Sequence, residues 1–212
     1  MMQSTRLAFA AAIAALVSLS PLSAHAQTII DEWGAVKAPP PPALKQPTLD
    51  RKTTALLLLD FNRQTCNEER RPRCVASIPK VKRLLAAARD AGMPVAFTLG
   101  GGGKPEDLPK DLAPQANEPV ALAGVDKFVG TELESFLNRH GVKTVIVVGT
   151  AAHGAVLYTA SGAVLRKLQV VLPVDGMSGD TPYTEQYTAW HLVNAPTFGN
   201  AVTLTTLDAV TF

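Results

Sequence analysis

Apolar positions along this chain fall into short continuous runs separated by stretches of helical period. Residues 55–60 read Ala-Leu-Leu-Leu-Leu-Asp, a run that predicts a strand buried on both faces of a parallel sheet. Residues 78–91 place Val81, Leu84, Leu85 and Ala88 on one helical face, with Ser77 as N-cap, Pro79 just inside and Gly92 as the stop. The same reading gives strands over 94–99, 145–148, 170–174 and 201–206, and helices over 131–140, 155–167 and 184–193. Residues 104–124 are rich in Pro, Asp, Lys and Ala, show no period and read as loop. Strand–helix alternation on this scale predicts a three-layer α/β/α sandwich around a mainly parallel sheet. Sites in such sheets form outside the carboxyl ends of the strands, where Asp60, Gly100 and Thr150 fall.

The ends of the chain read differently. Arg6, the apolar stretch from Leu7 to Val17 and the small-x-small run Ala24-His25-Ala26 predict a secretory signal over residues 1–26. The apolar run is too short for a comfortable membrane span, so the expected mature protein is periplasmic or secreted, with no stable membrane insertion. Residues 27–52 carry four consecutive prolines, Pro39 to Pro42, and Pro47, a composition that favours extended polyproline conformation and reads as a linker. Whether that linker drapes over the domain or tethers it stays open. Residues 53–212 form the domain, long enough for one substantial core.

Charge narrows the partners. Twenty Lys and Arg stand against eighteen Asp and Glu, a near balance that predicts neither nucleic-acid nor polybasic membrane binding. The cluster Arg70-Arg71-Pro72-Arg73 lies beside Glu68 and Glu69 and reads as a solvated loop. Two cysteines, Cys66 and Cys74, stand close together outside the predicted core elements, and an oxidising compartment favours their pairing over free thiols. Two thiolates with no His nearby make a poor zinc site.

Asp60 closes the first apolar strand, where desolvation raises a carboxyl pKa and a nearby cation lowers it, so it is a candidate general acid or base; the plain alternative is a carboxylate capping a turn. Lys127, taken alone, is an ordinary loop lysine. The run Gly100-Gly101-Gly102-Gly103-Lys104 is followed by Pro105-Glu106-Asp107 rather than by Ser or Thr opening a helix, so it is not a phosphate loop; it reads as a flexible lid or pocket wall.

Asp60 after its strand, Asp126-Lys127-Phe128 before Thr131-Glu132-Leu133, and the turn Val148-Gly149-Thr150 together resemble the isochorismatase-like (cysteine hydrolase) superfamily over residues 53–206. That resemblance implies a hydrolase pocket in which the Asp handles a proton, the Lys steadies charge and a Cys is the nucleophile. The nucleophile position reads Ala155, so the thioester route is closed. Ala152-His153-Gly154-Ala155 resembles the branch that cleaves a vinyl ether by proton transfer, with His153 in the matching place. That branch carries a glutamine after its second strand, where this chain has Gly100. The resemblance therefore implies Asp60 and Lys127 as catalytic residues, and Gly100, Thr150, His153 and Ala155 as substrate contacts. Metal-dependent nicotinamidases of the superfamily need an Asp/His cluster after the second strand; residues 100–112 hold Asp107 and Asp111 without a His, so neither metal nor other cofactor is expected. Family members commonly form dimers or larger assemblies, which makes a homo-oligomer an expectation. Two readings stay open: a Cys-independent hydrolase of a small molecule, and an inactive small-molecule-binding or interaction protein on the same fold.

Overall fold

A computed structural model describes residues 28–212, in two units. The signal expected over residues 1–26 lies outside the described residues. The first unit, ending at Ala38, contains a single helical turn α1 (Ile29–Glu32) and a tight turn Trp33–Ala35. Asp31 accepts hydrogen bonds from the Thr28 backbone N–H (2.8 Å) and hydroxyl (2.9 Å), closing that turn at its start.

The second unit, Pro39–Phe212, is built on seven strands: β1 (Thr54–Leu59), β2 (Val95–Leu99), β3 (Val120–Leu122), β4 (Thr144–Thr150), β5 (Gln169–Pro173), β6 (Met177–Ser178) and β7 (Val202–Thr205). They run parallel in the order β3-β2-β1-β4-β5-β7, with β6 paired to the end of β4. Helix α2 (Pro72–Asp90) covers one face; α3 (Leu133–Arg139), α4 (Leu157–Leu165) and α5 (Pro182–Asn194) cover the other. Period-two alternation divides β1 between two cores. Leu56 and Leu58 meet Val81, Leu84, Leu85 and Ala88 of α2, whereas Leu57 and Leu59 meet the α3–α5 layer. This is the expected three-layer sandwich.

Several boundaries differ from the sequence reading. Helix α2 begins at Pro72, six residues before the expected start, because a proline suits the first helical position. Ser77 is therefore inside the helix, its hydroxyl donating to the Cys74 carbonyl at 2.7 Å, and Pro79 is an interior residue. The expected helix over 155–167 is regular only from Leu157; a wide turn of π type, Ala152–Val156, precedes it. Residues 104–124 carry the short strand β3, which its own sequence does not announce: three residues at a sheet edge provide too little pattern.

Close packing governs both the centre and the edge of the sheet. Gly149, at φ +133°, lies so close to β1 that a Cβ there would stand 2.0 Å from the Leu59 carbonyl oxygen, so only glycine fits. The Pro-rich segment from Pro39 onward lies along the sheet edge: the Lys45 N–H donates to the Leu204 carbonyl (2.8 Å), the Leu49 N–H to that of Thr211 (3.1 Å), and Gln186 Nε2 to that of Pro39 (2.9 Å). Edge strand β7 is thereby shielded by a segment poor in free N–H donors.

Cys66 and Cys74 form a disulfide between the loop leaving β1 and the first turn of α2. Cross-linking so short a loop stabilises the fold by roughly 2–3 kcal/mol in the chain-entropy account. Replacing both cysteines by Ala is expected to lower Tm by roughly 4–12 °C, read by thermal unfolding, with the sheet's circular dichroism unchanged.

Candidate active site

The chain leaves β1 through Asp60, whose backbone enters the left-handed region at φ +56°, a conformation that Asp tolerates better than most residues. Its N–H donates to the Thr98 carbonyl at 3.0 Å, and its own carbonyl accepts from the Thr65 hydroxyl. Pinned at both ends, the residue presents its carboxylate to two donors. Thr98 Oγ1 donates to Oδ1 at 2.9 Å, and Lys127 Nζ donates to Oδ2 at 2.7 Å. The ion pair is buried, its side chains 7% and 1% exposed for Asp60 and Lys127.

Gly100 completes this wall. A Cβ at that position would stand 2.5 Å from Asp60 Oδ2, so any side chain there would displace the carboxylate from Lys127. The four-glycine segment is tied down at its start: Asn62, fully buried, donates through Nδ2 to the Gly100 carbonyl (3.0 Å) and accepts from its N–H (3.3 Å).

Lys127 reaches inward because its loop is pressed onto α4. The Lys127 N–H donates to Thr159 Oγ1 at 3.2 Å, Thr131 Oγ1 donates to the Lys127 carbonyl at 2.6 Å, and Asp126 Oδ1 accepts from the Phe128 N–H at 3.0 Å. Gly162 of α4 permits the approach, since a Cβ there would stand 2.9 Å from Asp126 Oδ1. The Arg166 guanidinium closes the outside at 4.4 Å from the Phe128 ring centroid.

Burial pushes the Asp60 carboxyl above the ordinary carboxylate range; the Lys127 charge and hydrogen bond, the Thr98 hydroxyl and the Arg71 charge pull in the other direction without overturning it. Proton affinity and a stabilised anion are thus held in one group, as an acid/base catalyst requires.

The end of β4 forms the neighbouring wall. Leu59 pairs with Gly149, which sets Asp60 beside Thr150, and Thr150 Oγ1 donates to the Ser178 carbonyl at 3.0 Å. Ala155 is buried in the turn after β4, where its methyl packs among apolar neighbours. His153, in the same turn, is half-buried, and its buried Nδ1 has no hydrogen-bond partner among the described residues; Ser178 Oγ is in the same condition. The structure therefore joins Asp60, Lys127 and Gly100 in direct contact and sets Thr150 beside them, while His153 and Ala155 lie in the turn after β4.

Sequence reasoning missed Thr98, Asn62, Ser178 and, above all, Arg71. The cluster 70–73 is not uniformly solvated. Arg71 is buried, donating through Nε to Asp180 Oδ1 (2.8 Å) and through Nη1 to the Thr65 carbonyl (2.9 Å). No local signal separates it from Arg70 and Arg73, which also lie between the two cysteines and are exposed; its contact with Asp180 decides its burial. Among the described residues no group of three or more His, Cys, Asp or Glu is arranged to hold a metal ion, and no helix is long and apolar enough to cross a membrane.

Comparison with known proteins bears on the family and the fold. Residues 54–206 match the isochorismatase domain family. An N-carbamoylsarcosine amidase from an Arthrobacter species is 28% identical over 145 residues, 55% of this chain and 55% of that protein, so the chain spans about half the length of this relative. Among solved structures, an isochorismatase family protein from Desulfovibrio vulgaris aligns with a TM-score of 0.66 at 24% identity, over 76% of this chain and 96% of that one. An N-carbamoylsarcosine amidase from Thermoplasma acidophilum aligns with a TM-score of 0.62 at 19% identity, over 74% and 97%. A nicotinamidase from Staphylococcus aureus does so with a TM-score of 0.62 at 18% identity, over 73% and 99%. At these identities the solved structures speak to the fold alone.

The raised Asp60 pKa couples stability to pH. The folded state holds this proton more tightly than the unfolded chain, so the resulting stability is full below the ordinary Asp range and is lost as pH rises through the folded pKa. The stability of the wild type relative to Asp60→Asn is therefore expected to fall as pH rises across that window, measured by denaturant unfolding at a series of pH values.

Proposed function

The chain belongs to the isochorismatase family, and we propose that it is an exported hydrolase of a small molecule, working by proton transfer at Asp60 with no nucleophilic side chain. The observation that carries this reading is the buried Asp60–Lys127 pair, with the carboxyl held above its ordinary range beside the turn that contains Ala155. Ala155 has no attacking atom, and both cysteines are consumed in the disulfide.

In this mechanism protonated Asp60 gives its proton to the substrate atom that must accept it, such as the carbon of an enol ether. As the carboxylate forms, Lys127 Nζ and Thr98 Oγ1 already donate to its two oxygens, so the developing charge meets fixed donors rather than reorganising solvent. Water adds to the resulting oxocarbenium carbon and its surplus proton returns to Asp60. The hemiketal then breaks its C–O bond, its hydroxyl proton being lost as the leaving oxygen takes one up, to give a ketone and an alcohol. Hydrolysis balances with no covalent bond to the enzyme. Amide cleavage by direct attack of water is the more demanding variant, because it needs a proton acceptor as well as a donor.

Export is part of the proposal. The N-terminal pattern supports it, as does the disulfide, a bond that persists in oxidising compartments. A second reading, a binding protein that keeps the fold without turnover, is favoured by Ala155 itself.

The experiment is hydrolysis of a panel of enol ethers and amides by protein beginning at Gln27, with Asp60→Asn and Lys127→Met as controls. Turnover that falls about 100-fold or more in Asp60→Asn is the expected result. Lys127→Met should lower the rate and move the Asp60-dependent limb of the pH profile upward, because burial is then unopposed by the ammonium. Turnover that Asp60→Asn leaves intact rejects the acid role, and the absence of turnover across the panel selects the binding protein.

A further inference from the structure

The Pro-rich segment is pinned to the domain on either side of its proline run. At one end Gln186 Nε2 donates to the Pro39 carbonyl (2.9 Å), and at the other the Lys45 N–H donates to the Leu204 carbonyl (2.8 Å). Between these pins, Pro40 to Leu44 make no hydrogen bond among the described residues. A polyproline run is stiff and extended, so a segment held at its two ends arches rather than sagging onto the surface below it. Beneath the arch lies a cavity of about 400 Å³, within the size range of small-molecule sites.

Its walls are apolar and rigid. Pro41, Pro42 and Leu44 form the strap side, Met177 and Leu204 the floor, and Ala189 of α5 the far side. Proline and alanine have no side-chain entropy to lose when a ligand packs on them, which makes the site preorganised. Leu44 is 49% exposed although it lines the cavity, whereas Met177 and Leu204 are buried. Neither Asp60, Lys127 nor Thr98 lines this cavity, so it is separate from the proton-transfer pair.

The polar groups around the cavity are mainly acceptors. Glu185 is the one charged residue that lines it; no Lys, Arg or His does so among the described residues. Glu185 Oε1 accepts from Arg73 Nε (2.8 Å) and from the Gly179 N–H (2.9 Å), while Oε2 accepts from no donor among the described residues. Gln186 spends its amide nitrogen on Pro39, and its Oε1 likewise meets no donor. The strap adds the carbonyls of Pro40, Pro41 and Pro42, residues that have no N–H to give. An anion placed here would face acceptors, whereas a ligand with donors would satisfy them.

We propose that the cavity beneath the proline strap is a second binding site, and that it takes a small aromatic amine of the arylalkylamine class. The ring packs against the proline faces of the strap, the inverse of the arrangement in which aromatic-lined grooves hold proline-rich peptides. The ammonium donates to Glu185 Oε2 and Gln186 Oε1, the first of these a charge-assisted bond. A cavity of roughly 150 Å³ holds benzene, so the volume here accommodates a fused ring with a short chain. The proposal is independent of the acid role of Asp60 and goes beyond it.

Calorimetry with tryptamine, indole and indole-3-acetate tests it on the wild type, Leu44→Trp, the double variant Pro41→Gly with Pro42→Gly, Glu185→Gln and Asp60→Asn. Tryptamine is expected to bind the wild type at least about tenfold more tightly than indole-3-acetate, with indole between them. Leu44→Trp fills the cavity from its exposed side, and affinity for tryptamine should fall about tenfold or more with Tm unchanged. The double glycine variant slackens the arch and should weaken tryptamine about threefold or more. Glu185→Gln should weaken tryptamine and leave indole unchanged. Asp60→Asn should bind tryptamine as the wild type does. No tryptamine binding to the wild type, equal binding of indole-3-acetate, or unchanged affinity in both strap variants overturns the proposal. Loss of tryptamine binding in Asp60→Asn would put the ligand at the acid/base pair and overturn it equally.

Discussion

Everything near the candidate site depends on one buried ion pair. Taking a carboxylate and an ammonium out of water costs several kcal/mol each, and only close geometry with further hydrogen bonds offsets it. Asp60 and Lys127 meet at 2.7 Å, and Thr98 satisfies the second carboxylate oxygen. The surroundings exist to hold that contact. Gly100 leaves room for the carboxylate, the left-handed backbone at Asp60 turns it out of the strand, and Gly162 lets the Lys127 loop lie on α4. Removing either partner would leave a charge with no compensation, which is why such a pair constrains the whole end of the sheet.

The crossing from β1 to α2 is the second constraint, and it depends on the first. Thr65 binds the Asp60 carbonyl, Asn62 binds Gly100, and Arg71 binds Thr65 and Asp180, so a segment with little regular structure has its polar groups engaged by name. The disulfide removes much of the remaining freedom of that segment in the unfolded chain. At the far edge of the sheet the Pro-rich segment performs a different task. It covers β7 through a few backbone hydrogen bonds and offers few donors for a further strand.

Ala155 carries no attacking atom, and the structure shows what surrounds it. The wide turn over Ala152–Val156 is present, Gly149 still brings β4 against β1, and the methyl of Ala155 packs into the core. The framework at this end of the sheet is thus independent of a nucleophile, and the Asp60–Lys127 ion pair stands complete without one. A site with general acid chemistry and no attacking side chain is chemically coherent, since water supplies the nucleophile in a hydrolysis.

The sequence by itself determined the layer architecture, because a continuous apolar run such as residues 54–59 and a helical stripe such as Val81, Leu84, Leu85 and Ala88 are local patterns with one stable partner arrangement. It also marked Asp60 as a candidate from its place at the end of an apolar strand, and Lys127 only through the family resemblance of the segment around it. Tertiary structure alone decided that Arg71 is buried while Arg70 beside it is exposed, that helix α2 starts at Pro72, that β3 exists, and that Gly100 faces a carboxylate. The physical reason is the same in each case. These outcomes depend on contacts between residues far apart in the chain, Arg71 with Asp180, β3 with β2 and Gly100 with Asp60, and no local periodicity records such a contact.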